Sequence, residues 1–161
     1  MEIWDAYDRE FNKIEGATLV RGEPIPEGMY HLVCDILVHH ADGEYLLMQR
    51  DPHKHFGGMW EASAGGSALR GETPLDCARR ELREETGIAA ETLTELGRDC
   101  DGRHAHYVLF LCVTDCDKDS VTLQEGETVA WRWVDRETLL AMKSDTLLGG
   151  RVRQYVEAFR A

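Results

Sequence analysis

From residue 31 onward, apolar residues fall in short runs that turn residues interrupt. The runs "HLVCDILVHH" and "EYLLMQR" flank "ADGE" and predict two strands joined as a β-hairpin. The stretch "DPHKHFGGMWEASAGG" opens as a loop rich in Pro, His and Gly, then predicts a short strand around Met59 to Ala64 ahead of two glycines. Further on, "HYVLFLCVT" at 106–114 is a nearly continuous β-branched and aromatic run, the pattern of a strand buried on both faces. The segment "TVAWRWVD" at 128–135 alternates apolar with polar and predicts another strand. Residues 1–30 are polar and close on a Pro/Gly turn in "ATLVRGEPIPEG".

Helical periodicity appears in three places. Between the strands, Leu75, Ala78, Leu82 and the methyl of Thr86 share one stripe of a helix over 74–86, with Thr73 to cap it, Pro74 at its first position and Gly87 to end it. Asp135 caps a second helix near "DRETLLAMK", and Val152, Tyr155, Val156 and Phe159 set the face of a third in "GRVRQYVEAFRA". Strands, helix, strands and helices in this order predict one α/β domain over 1–161, layered and without an internal linker, behind an N-terminal extension of about 30 residues.

Composition narrows the partners. Thirty acids against eighteen bases leave a net charge of −12, which repels phosphate backbones and argues against a nucleic acid polymer while leaving open a small phosphorylated substrate carried with metal ions. No apolar run approaches the roughly 20 residues needed to span a bilayer, and "MEIWDAYDREF" is acidic where a signal peptide would be basic, so no membrane partner and a cytoplasmic location are expected. The five cysteines are scattered without a CxxC pair, and Cys34, Cys77 and Cys112 lie in apolar segments, as buried reduced thiols do.

Candidate chemistry concentrates on the first helix. Glu81, Glu84 and Glu85 lie beside its apolar stripe at spacings of three and four, where like charges cost about 0.2–0.5 kcal/mol per pair. Arg79 and Arg83 point the other way, so nearby opposite charge does little to offset the repulsion. Neighbouring carboxylates on a rigid helix suit a hard divalent cation such as Mg²⁺ or Mn²⁺, which would neutralise them. A solvated acidic face is the competing reading of the same pattern.

Together with their surroundings these residues resemble the Nudix box: Gly66, five residues, Glu72, seven residues, then Arg80, Glu81, Leu82, any residue, Glu84, Glu85, any residue, Gly87 and Ile88. Every defined position is filled, and the flanking strands, "GMWEASAGG" and "WRWV" extend the resemblance over roughly residues 30 to 140. The resemblance implies an α/β/α sandwich around a mixed sheet. It also implies hydrolysis, with Mg²⁺ or Mn²⁺, of a diphosphate linkage in a nucleoside diphosphate derivative or related organic pyrophosphate. By position it makes Glu81 and Glu85 the main metal ligands, with Glu84 and the carbonyl of Gly65 assisting; Gly66, Glu72, Arg80 and Gly87 would hold the motif together. A carboxylate serving as general base, Glu84 or an acid before the last strand, is also implied; Glu127 is the nearest match for the latter and Glu125 its rival.

Arg50 and Lys54 could reach an anionic substrate, or Arg50 could pair with Asp51 at the surface. The histidines lack cysteine company at zinc spacing, and Trp131 and Trp133 share a strand face, so packing roles are expected of both sets. A homodimer assembled through the N-terminal segment is compatible with the chain. The order of "HLVCDILV", "LLMQR", Lys54 and "GMWE" also resembles isopentenyl diphosphate isomerase, which uses a cysteine just after the tryptophan where this chain has "EASAGG". A non-catalytic binding or regulatory module of the same fold is a further alternative, although such modules usually lose box carboxylates. Many relatives have a proline before the tryptophan; "FGGMW" here has Gly57 and Gly58.

Overall fold

The computed structural model describes residues 1–90, 92–147 and 149–159. At the centre of a mixed sheet, β3 (His31–His40) runs parallel to β8 (Ala105–Thr114) through ten residue pairs, from His31↔Ala105 to His40↔Thr114. On the far side of β8 lies antiparallel β7 (Thr94–Cys100), an edge strand whose residues are exposed or half-buried. The other edge of β3 is divided. β4 (Tyr45–Arg50) closes the hairpin through Val38↔Leu46 and His39↔Tyr45, then leaves β3 to pair with β5 (Trp60–Glu61), while β9 (Thr128–Val134) pairs with it along its other edge from Tyr45↔Val134 to Arg50↔Thr128. β6 (Ala64–Ser67) takes its place beside β3, from Val33↔Ser67 to Ile36↔Ala64.

The single strand expected around Met59 to Ala64 is therefore two, one on each side of a split in the sheet. Ser63 fills the split: its buried hydroxyl accepts from Val38 N–H at 2.8 Å and donates to the Leu46 carbonyl at 2.6 Å. A side chain thus stands in for a missing ladder bond, satisfying the Val38 N–H and the Leu46 carbonyl.

Each sheet face buries an apolar layer. Leu32, Cys34, Ile36 and Val38 of β3, with Val108, Phe110 and Cys112 of β8, pack beneath α1 (Pro74–Thr86) through Ala78 and Leu82. On the opposite face, Leu37, Leu47, Leu111 and Val134 meet Leu139 of α2 (Arg136–Ala141) and Val152 and Val156 of α3 (Gly150–Ala158). Fully burying one such aliphatic side chain stabilises the fold by about 1.5–3 kcal/mol. The architecture is the expected α/β/α sandwich around a mixed sheet.

Residues 1–30 depart from the expectation of a plain polar extension. They form a second, two-stranded sheet, β1 (Ile3–Tyr7) antiparallel to β2 (Lys13–Val20). Trp4, Ala6 and Leu19 bury a small cluster of their own, which Ile25 and Met29 flank. Tyr7 and Tyr30 exchange backbone hydrogen bonds at 2.8 and 2.9 Å, and Trp4 stacks on His31 with ring centroids 4.3 Å apart. The hairpin also touches the segment before α1: Arg70 N–H donates to Ile3 O, and Gly71 N–H to the Asp5 carboxylate at 2.8 Å.

Candidate active site

The helix α1 forms as its ends dictate. Thr73 Oγ1 accepts from Asp76 N–H and the Asp76 carboxylate accepts from Thr73 N–H, a reciprocal cap. Gly87 takes a left-handed φ of 76°, which allows its N–H to reach Arg83 O. Burial of Ala78, Leu82 and Thr86 then fixes the helix rotation, carrying Glu81 and Glu85 inward to 9% and 7% exposure while Glu84 stays exposed. The three acids thus differ in depth, a distinction that helical spacing alone does not reveal.

Gly66 on β6 is what admits Glu81. A Cβ at Gly66 would lie 2.3–2.8 Å from the Glu81 carboxyl atoms, so glycine leaves the space that this carboxylate occupies. Gly65 does the same for Asp35, whose Oδ1 would meet its Cβ at 2.6 Å.

Arg80 corrects the reading that opposite charge is mostly absent from the acidic face. Its guanidinium donates to Glu72 at 2.7 and 3.0 Å, to Glu81 at 2.7 Å, to Glu84 at 3.3 Å and to the Ser67 carbonyl at 3.1 Å. Glu72 in turn accepts from Leu69 N–H at 2.8 Å. One cation therefore ties the loop before α1, the end of β6 and two acids of the helix together.

Glu85 has a different environment. Among the described residues no side chain donates a hydrogen bond to its carboxylate, and burial, followed by the nearby charges of Glu81, Glu61 and Glu127, pushes its pKa up to about 9. Burial likewise raises Glu81, against the pull of Arg80, and raises Glu61. Glu85 lies where two cavities meet, in company with Lys54, Gly65 and Gly66. One, of about 330 Å³, extends over the α3 face of the sheet to Asp35, Tyr107 and Arg151; the other opens past Glu81 and Glu84 towards the N-terminal hairpin.

Buried hard-oxygen donors with surplus negative charge suit a divalent cation. Among the described residues, however, no three His, Cys, Asp or Glu side chains converge as a metal-binding group, because Glu81 and Glu84 are turned onto Arg80. Glu85 is the carboxylate left without such a partner.

Arg50 pairs with Glu61 at 2.8 Å and donates to the His55 carbonyl, not with Asp51 as the surface alternative supposed. Both Arg50 and Lys54 line the cavity. Lys54 forms an ion pair with Glu127, whose carbonyl accepts from Asp51 N–H at 2.9 Å. Glu127 thus reaches the cavity wall, whereas Glu125 is exposed and lines neither cavity. Trp131 and Trp133 pack against the main core, Trp133 donating to Lys118 O. Sequence reasoning missed Asp35, Glu61, Tyr107 and Arg151; the one visible signal was an aspartate in the middle of the apolar run "HLVCDILV".

Comparison with known proteins agrees with this geometry. The NUDIX domain family model matches residues 29–154. An uncharacterized Nudix hydrolase of Listeria monocytogenes is 32% identical over 148 residues, covering 89% of this chain and 86% of that protein. An isopentenyl-diphosphate Delta-isomerase of Burkholderia multivorans is 34% identical over 125 residues, covering 74% and 70%. In fold, a crystal structure of a Deinococcus radiodurans protein superposes with a TM-score of 0.79 at 19% identity, over 99% of this chain and 100% of that one. Box, fold and relatives agree: the chain belongs to the NUDIX domain family and is a Nudix hydrolase.

Proposed function

We propose that this enzyme hydrolyses a diphosphate linkage in a nucleoside diphosphate derivative or related organic pyrophosphate, by water attack on phosphorus, with Mg²⁺ or Mn²⁺ bound at the box helix. The observation that carries the reading is Glu85, a buried carboxylate with no hydrogen-bond donor among the described residues, at the meeting point of two cavities. Glu81 and Glu85 would be the main ligands, helped by Glu84 and the Gly65 carbonyl. The metal would supply charge neutralisation and an activated water.

The chain's own groups do the rest. Arg50 and Lys54 present positive charge to the same cavity and bind the anionic diphosphate; Arg80 orients Glu81 and Glu84. A carboxylate beside the attacking water takes its proton. Glu127, which lines the cavity and pairs with Lys54, would be free for this if Lys54 turned to substrate, and Glu84, the more exposed box acid, is the other candidate.

The isomerase reading is favoured by the Burkholderia relative and opposed by "EASAGG", which has no cysteine after Trp60. A panel of diphosphate compounds, incubated with Mg²⁺ in ¹⁸O-labelled water, decides between them. Hydrolysis puts label into a phosphate product; isopentenyl diphosphate converted to its isomer without label overturns the proposal. Turnover of no panel member, with binding retained, points to the binding-module alternative.

A further inference from the structure

The cavity of about 330 Å³ beneath α3 has a second end that the diphosphate chemistry does not use. Its floor is the sheet face opposite α1: Asp35 projects there from β3, Tyr107 from β8, and Arg151 comes from the first turn of α3. Arg151 lies with its guanidinium 3.5 Å from the Tyr107 ring centroid and donates to Asp99 at 3.2 Å, which fixes it in place. Asp35, by contrast, takes no hydrogen bond from any described residue, although it stands partly open to the cavity against Gly65. A carboxylate and a guanidinium therefore face one space without satisfying each other.

We infer that Asp35 and Arg151 form a specificity subsite for a hydroxyl-bearing, sugar-like group attached to the diphosphate, with Asp35 accepting hydroxyl protons and Arg151 donating to hydroxyl or ring oxygens. Hydroxyls supply both donors and acceptors, as the two opposite charges require. An apolar prenyl chain in the same place would cover both charges without hydrogen bonds, a costly burial. Flat stacking is not the recognition mode, because Tyr107 is the one aromatic residue among the described lining and Arg151 already covers a face of it. Val33, Ala62, Ala64 and Val152 offer small apolar walls for the carbon face of a ring. A cavity of about 330 Å³ lies at the small end of ligand sites, so the moiety is compact. The inference rests on the proposed diphosphate reading for the orientation of the substrate.

The test measures Mg²⁺-dependent binding by calorimetry, and turnover alongside it, for ribose 5-diphosphate, isopentenyl diphosphate and inorganic pyrophosphate. The first two are five-carbon diphosphate esters that differ in their hydroxyls. Wild type is expected to bind ribose 5-diphosphate at least about tenfold more tightly than isopentenyl diphosphate. Asp35→Asn and Asp35→Leu should lower that preference about 10- to 100-fold, with Arg151→Lys lowering it less. Affinity for pyrophosphate reports whether the diphosphate end of each variant is intact. A wild type that binds the prenyl compound equally or better, or an Asp35→Leu protein that keeps the preference, overturns the subsite and leaves Glu85-dependent hydrolysis standing. A preference that depends on Asp35 without turnover of any diphosphate retains the subsite and removes the hydrolase reading. Binding of none of the three compounds overturns both.

Discussion

Lys54 and Glu127 form an ion pair at the mouth of the cavity that Glu85 floors, joining the loop after β4 to the turn before β9. With both side chains about a third exposed, such a pair contributes at most about 1 kcal/mol to stability. On the proposed reading, the two partners separate when substrate arrives. Lys54→Met is expected to raise KM for a diphosphate substrate about tenfold or more, and Glu127→Gln to lower kcat, with little change in unfolding midpoint for either. Steady-state kinetics with urea unfolding checks the split; equal loss of stability in both variants would make the pair a structural clasp.

Gly66→Ala separates site geometry from folding. The added methyl would meet the Glu81 carboxylate, and the flexible end of that side chain must move away. The variant is expected to keep its fold and lose at least about tenfold in turnover, since small displacements of a ligand or positioning group are costly. Circular dichroism and rate measurements on the same preparation test this.

Arg80→Lys keeps the charge but loses the two-pronged contact with Glu72. Removing part of this half-buried network should cost about 1–3 kcal/mol of stability, measured by urea unfolding. Glu72→Gln should lose a similar amount, and the double variant less than the sum, because the two residues act on one contact.

Acid should loosen the N-terminal hairpin through His31, whose pKa burial lowers below the usual histidine value. A base with a depressed folded pKa contributes stability that is complete above its unfolded pKa, near 6.5, and is lost as pH falls through the folded value. His31 carries the stack with Trp4 and lies 3.2 Å from Ser67 Oγ. Relative to His31→Phe, which stacks without titrating, wild type should lose stability between pH 7 and pH 5. Parallel unfolding curves at both pH values would contradict this.

The sequence made the helix α1 legible to its last residue because its signals are local: a cap, a proline, a glycine and an apolar stripe. The strands β3, β4, β8 and β9 were visible for the same reason, as runs rich in apolar residues. The N-terminal strands were not, since Leu19 is the one buried residue of Lys13–Val20, whose other residues give no apolar pattern and are held by pairing with β1. Strand β7 is hidden likewise, its polar residues held by pairing with β8. At the site, the box acids declared themselves by spacing, but the depth of Glu85 relative to Glu84 comes from packing of Leu82 and Thr86. Arg151 could not be anticipated, because only the crossing of α3 over β8 brings it to Tyr107.

The most direct test of the account is the rate of diphosphate hydrolysis as a function of Mg²⁺ concentration, in wild type and Glu85→Gln. Wild type should show no turnover without the metal and saturate with it, while the amide, nearly the same size but unable to carry charge, should lose about 100-fold or more at every concentration. A Glu85→Gln enzyme that keeps the wild-type rate and metal dependence would contradict the assignment of the site.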